Sequence, residues 1–446
     1  MTPHSNTRPI ALDVTAVSEL NFTTGVQRVL REYLAVNRDS VELIRYDDKA
    51  RLWRSIPELG TLVERTRSGI VARVREFAEK ATGAVIEEAK RPRLREIFRE
   101  VPFAGPIYDW LKKARTRHLQ AQTVIENYKL RDQPEWVPRD GQTYLILDLP
   151  APRASHAIAM EDLFRRPGVN SLVFVHDLFP LSHRHLFDRE HHHRARKLHL
   201  TYLDAVTQAS AIAANSNFTL GQYRDFCKLV VTSTRDKQKQ SVVHLPWPRM
   251  TSDVRPDSSI ADRLFGNAAI KVLLVGQLDQ RKNFQVVVRA VKSLISDGVD
   301  VRLGILAGYS TLTDTALREA LESCTTEQRA RITILGIVTD AELVAMYDAA
   351  TVVAVPSLAE GFGLPVIESL SRGKRVVAAD SSALTELGDL FGSDRVHIAS
   401  PNDPDEWASQ IVQVAQLPPL KTFPVPKEIP KDWSDFHARI IAAASR

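Results

Sequence analysis

Glu360 and Glu368 stand eight residues apart, with Gly361, Gly363 and Pro365 between them. An apolar run, Thr351 to Val355, precedes this stretch, and Gly373 follows it. That order predicts a strand, a glycine-bearing loop and a helix whose first turn tolerates Pro365, because proline's missing N–H costs nothing there. Gly373 is placed to end the helix, and Arg375 to Ala379 reads as the next strand. Free N–H groups and a positive dipole end at such a helix start suit an anion. The unit is therefore a βαβ segment with an anion site and two acids at its mouth. Taken alone, the two acids also fit a hydrolytic carboxylate pair.

Three other groups of residues bear on chemistry. Arg281 and Lys282 follow the strand-like run Lys271 to Val275 and the turn residue Gly276. A guanidinium and an ammonium side by side suit a departing phosphate, although most Arg-Lys pairs form solvated loops. His176 and Asp177 follow the apolar run Leu172 to Val175, a position equally open to a structural histidine at a strand end. The stretch His183 to His193 is rich in histidine, but adjacent histidines on a helix point in different directions and do not converge on a metal. Asp403-Pro-Asp405 has an Asp-x-Asp spacing but lies far from any nucleotide-loop pattern.

The C-terminal half alternates short apolar strands with helices of roughly 284–297, 312–326, 340–350 and 365–373. Such alternation implies a parallel sheet covered by helices on both faces. The N-terminal half has candidate strands at Ile10–Val14, Val41–Arg45, Tyr144–Leu147, Leu172–Val175, Ala211–Ala214 and Val242–Leu245. Gly25 opens its first helix. A helical insertion is expected over about 50–140, where Val63, Ile70, Val74, Phe77, Ala81 and Val85 fall at helical spacing. The proline-containing stretch Pro246 to Pro256 reads as a linker. The expected domains are 1–255, 256–425, and a C-terminal helix at 426–446 packing back towards the first domain. Two doubly wound Rossmann-like domains leave a cleft, and ligands of such sheets bind beyond the carboxyl ends of the strands.

Bulk composition narrows the class. The 446 residues are 44% hydrophobic and 25% charged, which is ordinary for a globular protein. Cys227 and Cys324 stand in no metal or redox spacing, so a reducing cytoplasm is the expected setting. No apolar run approaches the about 20 residues needed to cross a bilayer. The net charge is +5, yet residues 51–130 hold 17 Lys and Arg against 10 Asp and Glu. The remainder is near neutral, which argues against a nucleic-acid binder. The mix of basic and apolar residues around 90–118 fits either peripheral membrane contact at the inner face or a solvated basic face.

Gly276-Gln-Leu-Asp-Gln-Arg-Lys-Asn283 followed by Glu360-Gly-Phe-Gly-Leu-Pro-Val-Ile-Glu368 resembles the GT4-type (group 1) retaining glycosyltransferases of the GT-B fold. Thr24 to Arg28, Val175 to Pro180, Asn215 to Thr219 and Gly336 to Tyr347 resemble further segments of that family, and residues 50–140 do not. Some members carry an arginine where this chain has Gln277. The resemblance implies transfer of a hexosyl or deoxyhexosyl group, mannosyl favoured, from a nucleotide diphosphate sugar. The implied acceptor is a saccharide or lipid-linked saccharide in polysaccharide or lipopolysaccharide assembly, and no metal or other cofactor is implied. It assigns Arg281 and Lys282 to the diphosphate, Glu360 to the sugar hydroxyls, His176 to the donor sugar and Glu368 to the ribose. Gly25, Gly276 and the backbone of Phe362, Gly363 and Leu364 would approach the diphosphate or sugar. The family is usually described as reacting on one face, which makes Glu360 an orienting acid rather than a nucleophile. Alternatives are a nucleotide-sugar epimerase or hydrolase of GT-B shape, or a non-catalytic nucleotide-binding scaffold.

Overall fold

The computed structural model describes residues 10–15, 25–57, 130, 132–148, 153–186, 189–230, 238–250, 258–307, 315–336, 338–420 and 422–445. These residues build two sheets. The first contains β1 (Ile10–Asp13), β2 (Val41–Asp47), β3 (Leu52–Ile56), β4 (Thr143–Ile146), β5 (Asn170–Val175), β6 (Ala211–Ala214) and β7 (Lys239–Val242), in the order β3-β2-β1-β4-β5-β6-β7. All pairings are parallel except β2 with β3. The second contains β8 (Ile270–Gly276), β9 (Val301–Ala307), β10 (Ile332–Leu335), β11 (Val352–Val355), β12 (Val376–Ala379) and β13 (Val396–Ala399), in the order β10-β9-β8-β11-β12-β13, all parallel.

Both sheets wind outward from a first strand in one direction and then in the other. The strand order therefore reverses between β1 and β4, and again between β8 and β11. At such a reversal the connecting helices leave on opposite faces and open a crevice at the carboxyl ends. The loops carrying Arg281-Lys282 and Glu360 follow β8 and β11, so they flank the second crevice.

The central strands of both sheets are buried on both faces and read as continuous apolar runs, as parallel strands do. Val272, Leu273, Leu274, Val352, Val353, Val376 and Val377 are fully buried. The covering helix Phe284–Ser296 buries Phe284, Val287, Val288, Val291, Leu294 and Ile295, a single stripe at helical spacing. The helix Asp340–Ala349 starts with a reciprocal capping box between Thr339 and Glu342.

Two expectations shift. The stretch assigned to a helical insertion contains β3 and a bridge between Arg54 and Glu135, both at the edge of the first sheet. Leu52-Trp-Arg-Ser-Ile56 has the alternation of an edge strand, and Arg54 is held by Asp47 at 2.9 Å. Residues 58–129, including the basic stretch 90–118, lie outside the described residues. The last strand of the first sheet is Lys239–Val242, so Val243 to Leu245 run beyond its end.

The C-terminal helix Trp433–Ser445 lies on the first domain. Tyr33 meets Trp433 and Phe436 edge-on with centroids 6.4 and 6.2 Å apart, and Phe436 meets Phe174 at 5.4 Å. Asn37 donates to the Trp433 carbonyl at 3.0 Å, and Lys239 donates to the Ala444 carbonyl at 3.2 Å. The chain thus crosses between the domains a second time.

Candidate active site

Beyond β8 the chain makes one 3-10 turn, Gln280–Lys282. Asp279 caps it by accepting from the Lys282 N–H at 3.2 Å. Asn283 ends it in the left-handed region, φ 52°, and ties down through its amide to the Pro401 carbonyl at 2.8 Å. Gly276 has a specific steric role here. A Cβ at that position would lie 3.1 Å from Cε of Lys282, so the bare backbone leaves room for the lysine stem.

Lys282 is buried, and its Nζ donates to Oε1 of Glu360 at 2.5 Å. The Ser357 hydroxyl donates to the same oxygen at 2.7 Å. Arg281 approaches Oε2 at 3.5 Å, while its Nη1 donates to the Ala359 carbonyl at 2.9 Å. The Arg281 guanidinium also lies over the Phe179 ring of the first domain, 5.4 Å from its centroid. Burial alone would raise the Glu360 pKa. The Lys282 ammonium, and then Arg281, outweigh it and hold the carboxyl below the usual range. Glu360 is therefore an ionised, two-oxygen acceptor clamped between two cations.

The loop then runs to Gly363, whose φ of 99° is left-handed and sets the start of the helix Leu364–Ser371. Among the described residues, the N–H groups of Phe362, Gly363 and Leu364 donate to no protein acceptor. Three such N–H groups at a helix start form an anion cradle.

Glu368 sits inside that helix and is almost fully buried. Its Oε1 accepts from Arg28 of the first domain at 2.6 Å, and its Oε2 from the Tyr347 hydroxyl at 2.7 Å. Arg28 also reaches Glu32 at 2.6 Å. Burial would lower the Arg28 pKa, but Glu368 and Glu32 more than offset it and keep the guanidinium charged. Arg28 lies in the helix Gly25–Asn37, so the first turn opened by Gly25 faces Glu368 across the cleft.

His176 follows β5 and is buried. Its Nε2 bonds the Leu147 carbonyl at 2.8 Å. A carbonyl only accepts, so Nε2 carries the proton and Nδ1 is the ring's acceptor. Burial depresses the pKa of this histidine, which keeps the ring neutral at pH 7. The backbone carbonyl of His176 packs on Gly361, where an added Cβ would come within 2.1 Å of it.

The structure thus brings His176, Arg281, Lys282, Glu360 and the loop 361–364 together between the two domains. Glu368 lies further along the same helix, against Arg28 and Tyr347. Sequence reasoning did not single out Ser357, Tyr347 or Glu386. Tyr347 closes the quoted Gly336 to Tyr347 segment, and Ser357 stands three residues before Glu360. Glu386 reaches the first domain and has no local signal.

The other polar clusters resolve differently. Asp403 caps the helix Pro404–Gln416 by accepting from the N–H groups of Asp405 and Glu406, which accounts for the Asp-x-Asp spacing. No group of three His, Cys, Asp or Glu side chains suited to a metal occurs among the described residues, and the side chains of His191, His192 and His193 lie outside them. No described helix is long and apolar enough to cross a membrane.

Residues 269–416 match the family described as glycosyl transferases group 1. O-antigen chain mannosyltransferase B of Escherichia coli is 35% identical over 147 residues, covering 32% of this chain and 36% of that protein. A D-inositol 3-phosphate glycosyltransferase of Mycolicibacterium vanbaalenii is 30% identical over 216 residues, covering 43% and 46%. The chain therefore spans less than half the length of these relatives. Sucrose-phosphate synthase from Thermosynechococcus elongatus shares the fold, with a TM-score of 0.53 at 17% identity over 98% of this chain and 94% of that one.

Proposed function

We propose that this chain, a GT-B protein whose C-terminal domain is a group 1 glycosyltransferase domain, transfers a hexosyl group from a nucleotide diphosphate sugar with retention of anomeric configuration. The acceptor class is a saccharide or lipid-linked saccharide of polysaccharide or lipopolysaccharide assembly. A mannosyl donor is favoured by the name of the Escherichia coli relative. No metal is required in this reading.

One observation carries it. Glu360 is ionised, buried and clamped by Lys282, Arg281 and Ser357 at the mouth of an open helix start. The clamp makes Glu360 a poor nucleophile, since both cations stabilise its charge. It suits the carboxylate to accepting from sugar hydroxyls and supporting positive charge at the anomeric carbon. Lys282 and Arg281 are then shared between Glu360 and the diphosphate, whose departing oxygen gains charge as the glycosidic bond breaks. That oxygen takes the acceptor hydroxyl proton on the same face, and the acceptor oxygen forms the new bond. His176, neutral and with Nδ1 as acceptor, contributes a hydrogen-bonding contact to the donor sugar. The ribose hydroxyls go to Glu368, sharing its oxygens with Arg28 and Tyr347.

A thermal-shift screen with GDP-, UDP- and dTDP-sugars selects the donor, because only a ligand of the native state raises stability. Glu360→Ala is then expected to abolish transfer while the variant stays folded. Full transfer by Glu360→Ala would overturn the assignment, and the anomeric configuration of the product, read by NMR, tests retention.

A further inference from the structure

The segment Asn215 to Thr219, which follows β6 and enters the first turn of the helix Asn217–Val230, touches both halves of the candidate site. Asn215 donates its amide to the His176 carbonyl at 2.8 Å. The hydroxyls of Ser216 and Thr219 donate to the Gly361 carbonyl, in the other domain, at 2.6 and 3.2 Å. The first N–H groups of the helix are then taken up by a residue of the second domain. Glu386, in the helix Ser382–Phe391, accepts from the Asn217 N–H at 2.9 Å, the Phe218 N–H at 3.3 Å and the Asn217 amide at 2.8 Å. His244 Nε2 meets the same carboxylate at 3.0 Å.

We propose that Glu386 is a positioning residue that pins the two domains at this joint and thereby sets the distance between His176 and Glu360. The geometry leaves the joint no slack. A single carboxylate caps a helix start across the domain boundary, one segment holds the carbonyls of His176 and Gly361, and those two residues are in direct backbone contact. Glu360 immediately precedes Gly361, so its place relative to His176 follows from this contact. Hydrogen bonds from His244 and Asn217 outweigh the effect of burial and keep Glu386 ionised below the usual carboxyl range. An ionised carboxylate at a helix N-terminus makes the stronger, charge-assisted contacts. Arg28 and Glu368 join the domains elsewhere, through one side-chain pair.

This role rests on reading His176 and Glu360 as donor-sugar contacts, and its test separates the two ideas. Spin labels at Asp225→Cys and Arg318→Cys, in a Cys227→Ser, Cys324→Ser background, report the interdomain distance. Glu386→Ala is expected to broaden that distance distribution. It should lower kcat by about 100-fold, the cost of a misplacement near 1 Å, with the Kd for GDP or UDP changed by less than about threefold. Glu386→Gln, whose amide oxygen still accepts from Asn217 and Phe218, is expected to recover most of kcat. An Ala variant with a wild-type distance distribution, or with wild-type kcat, would overturn the proposal. If the wild-type chain transfers from no donor, the functional reading fails, while the distance distribution still decides the role of Glu386. Should Glu386→Ala not fold, the Ser216→Ala, Thr219→Val pair carries the same expectation from the other side of the joint.

Discussion

Gly361→Ala is the sharpest probe of the domain joint. Gly361 is not among the residues with a left-handed backbone, so alanine meets no conformational penalty there. The penalty is steric. The new Cβ would lie 2.1 Å from the His176 carbonyl oxygen and 3.2 Å from Nδ2 of Asn215. A carbon–oxygen contact relaxes at about 3.3 Å, so the gap must open by about 1.2 Å. The carbonyl cannot swing away alone, because the Asn215 amide holds it at 2.8 Å. Either the loop carrying Glu360 shifts or the domains part. A misplacement of about 1 Å costs about 100-fold in rate, or about 2.7 kcal/mol in the barrier. Overpacking adds about 1–3 kcal/mol of destabilisation, which leaves the chain folded. The assay is the initial rate at saturating donor, alongside thermal unfolding. A rate within about threefold of wild type would refute the reasoning, since it would mean the joint yields without disturbing the site.

Lys282→Met removes the cation nearest a buried carboxylate and is expected to cost about 3–5 kcal/mol in urea unfolding, together with transfer activity. An unchanged unfolding midpoint would contradict the clamp. For the pair across the cleft, a double-mutant cycle with Arg28→Ala and Glu368→Gln should give a coupling of about 1–3 kcal/mol, and additivity would show that the contact contributes nothing. The pH dependence has a defined sign. The folded-state pKa of His176 is depressed, so its share of stability is complete above its ordinary 6.5 and is lost as pH falls towards the folded value. Glu360 is also depressed, and its share is lost below its ordinary 4.5. Thermal unfolding between pH 7 and 5 should therefore show a decline that His176→Asn lessens, and an identical decline in the variant would rule His176 out as a source.

Much of the fold was legible because parallel strands buried on both faces are continuous apolar runs, and because glycine, proline and capping residues mark where helices start and stop. Thr351 to Val355, Gly363 and Pro365 announce β11 and the helix after it. Thr339 with Glu342 announces another. The residue types at the candidate site were legible for a related reason: carboxylates, cations and glycines cluster at strand ends within a few residues of one another. Side-chain partners were not. Nothing near Gly276 says that its missing Cβ makes room for Lys282, because the two meet only when the turn folds back. The pairing of Arg28 with Glu368 joins residues 340 positions apart, and Glu386 reaches Asn217 across 169. Local pattern is enough for two doubly wound sheets and one cationic, acid-bearing mouth. How the two sheets meet is not local: Gly361 on the His176 carbonyl, Glu386 on Asn217 and Arg28 on Glu368 pair residues far apart in the chain, and such pairings leave no periodicity to read.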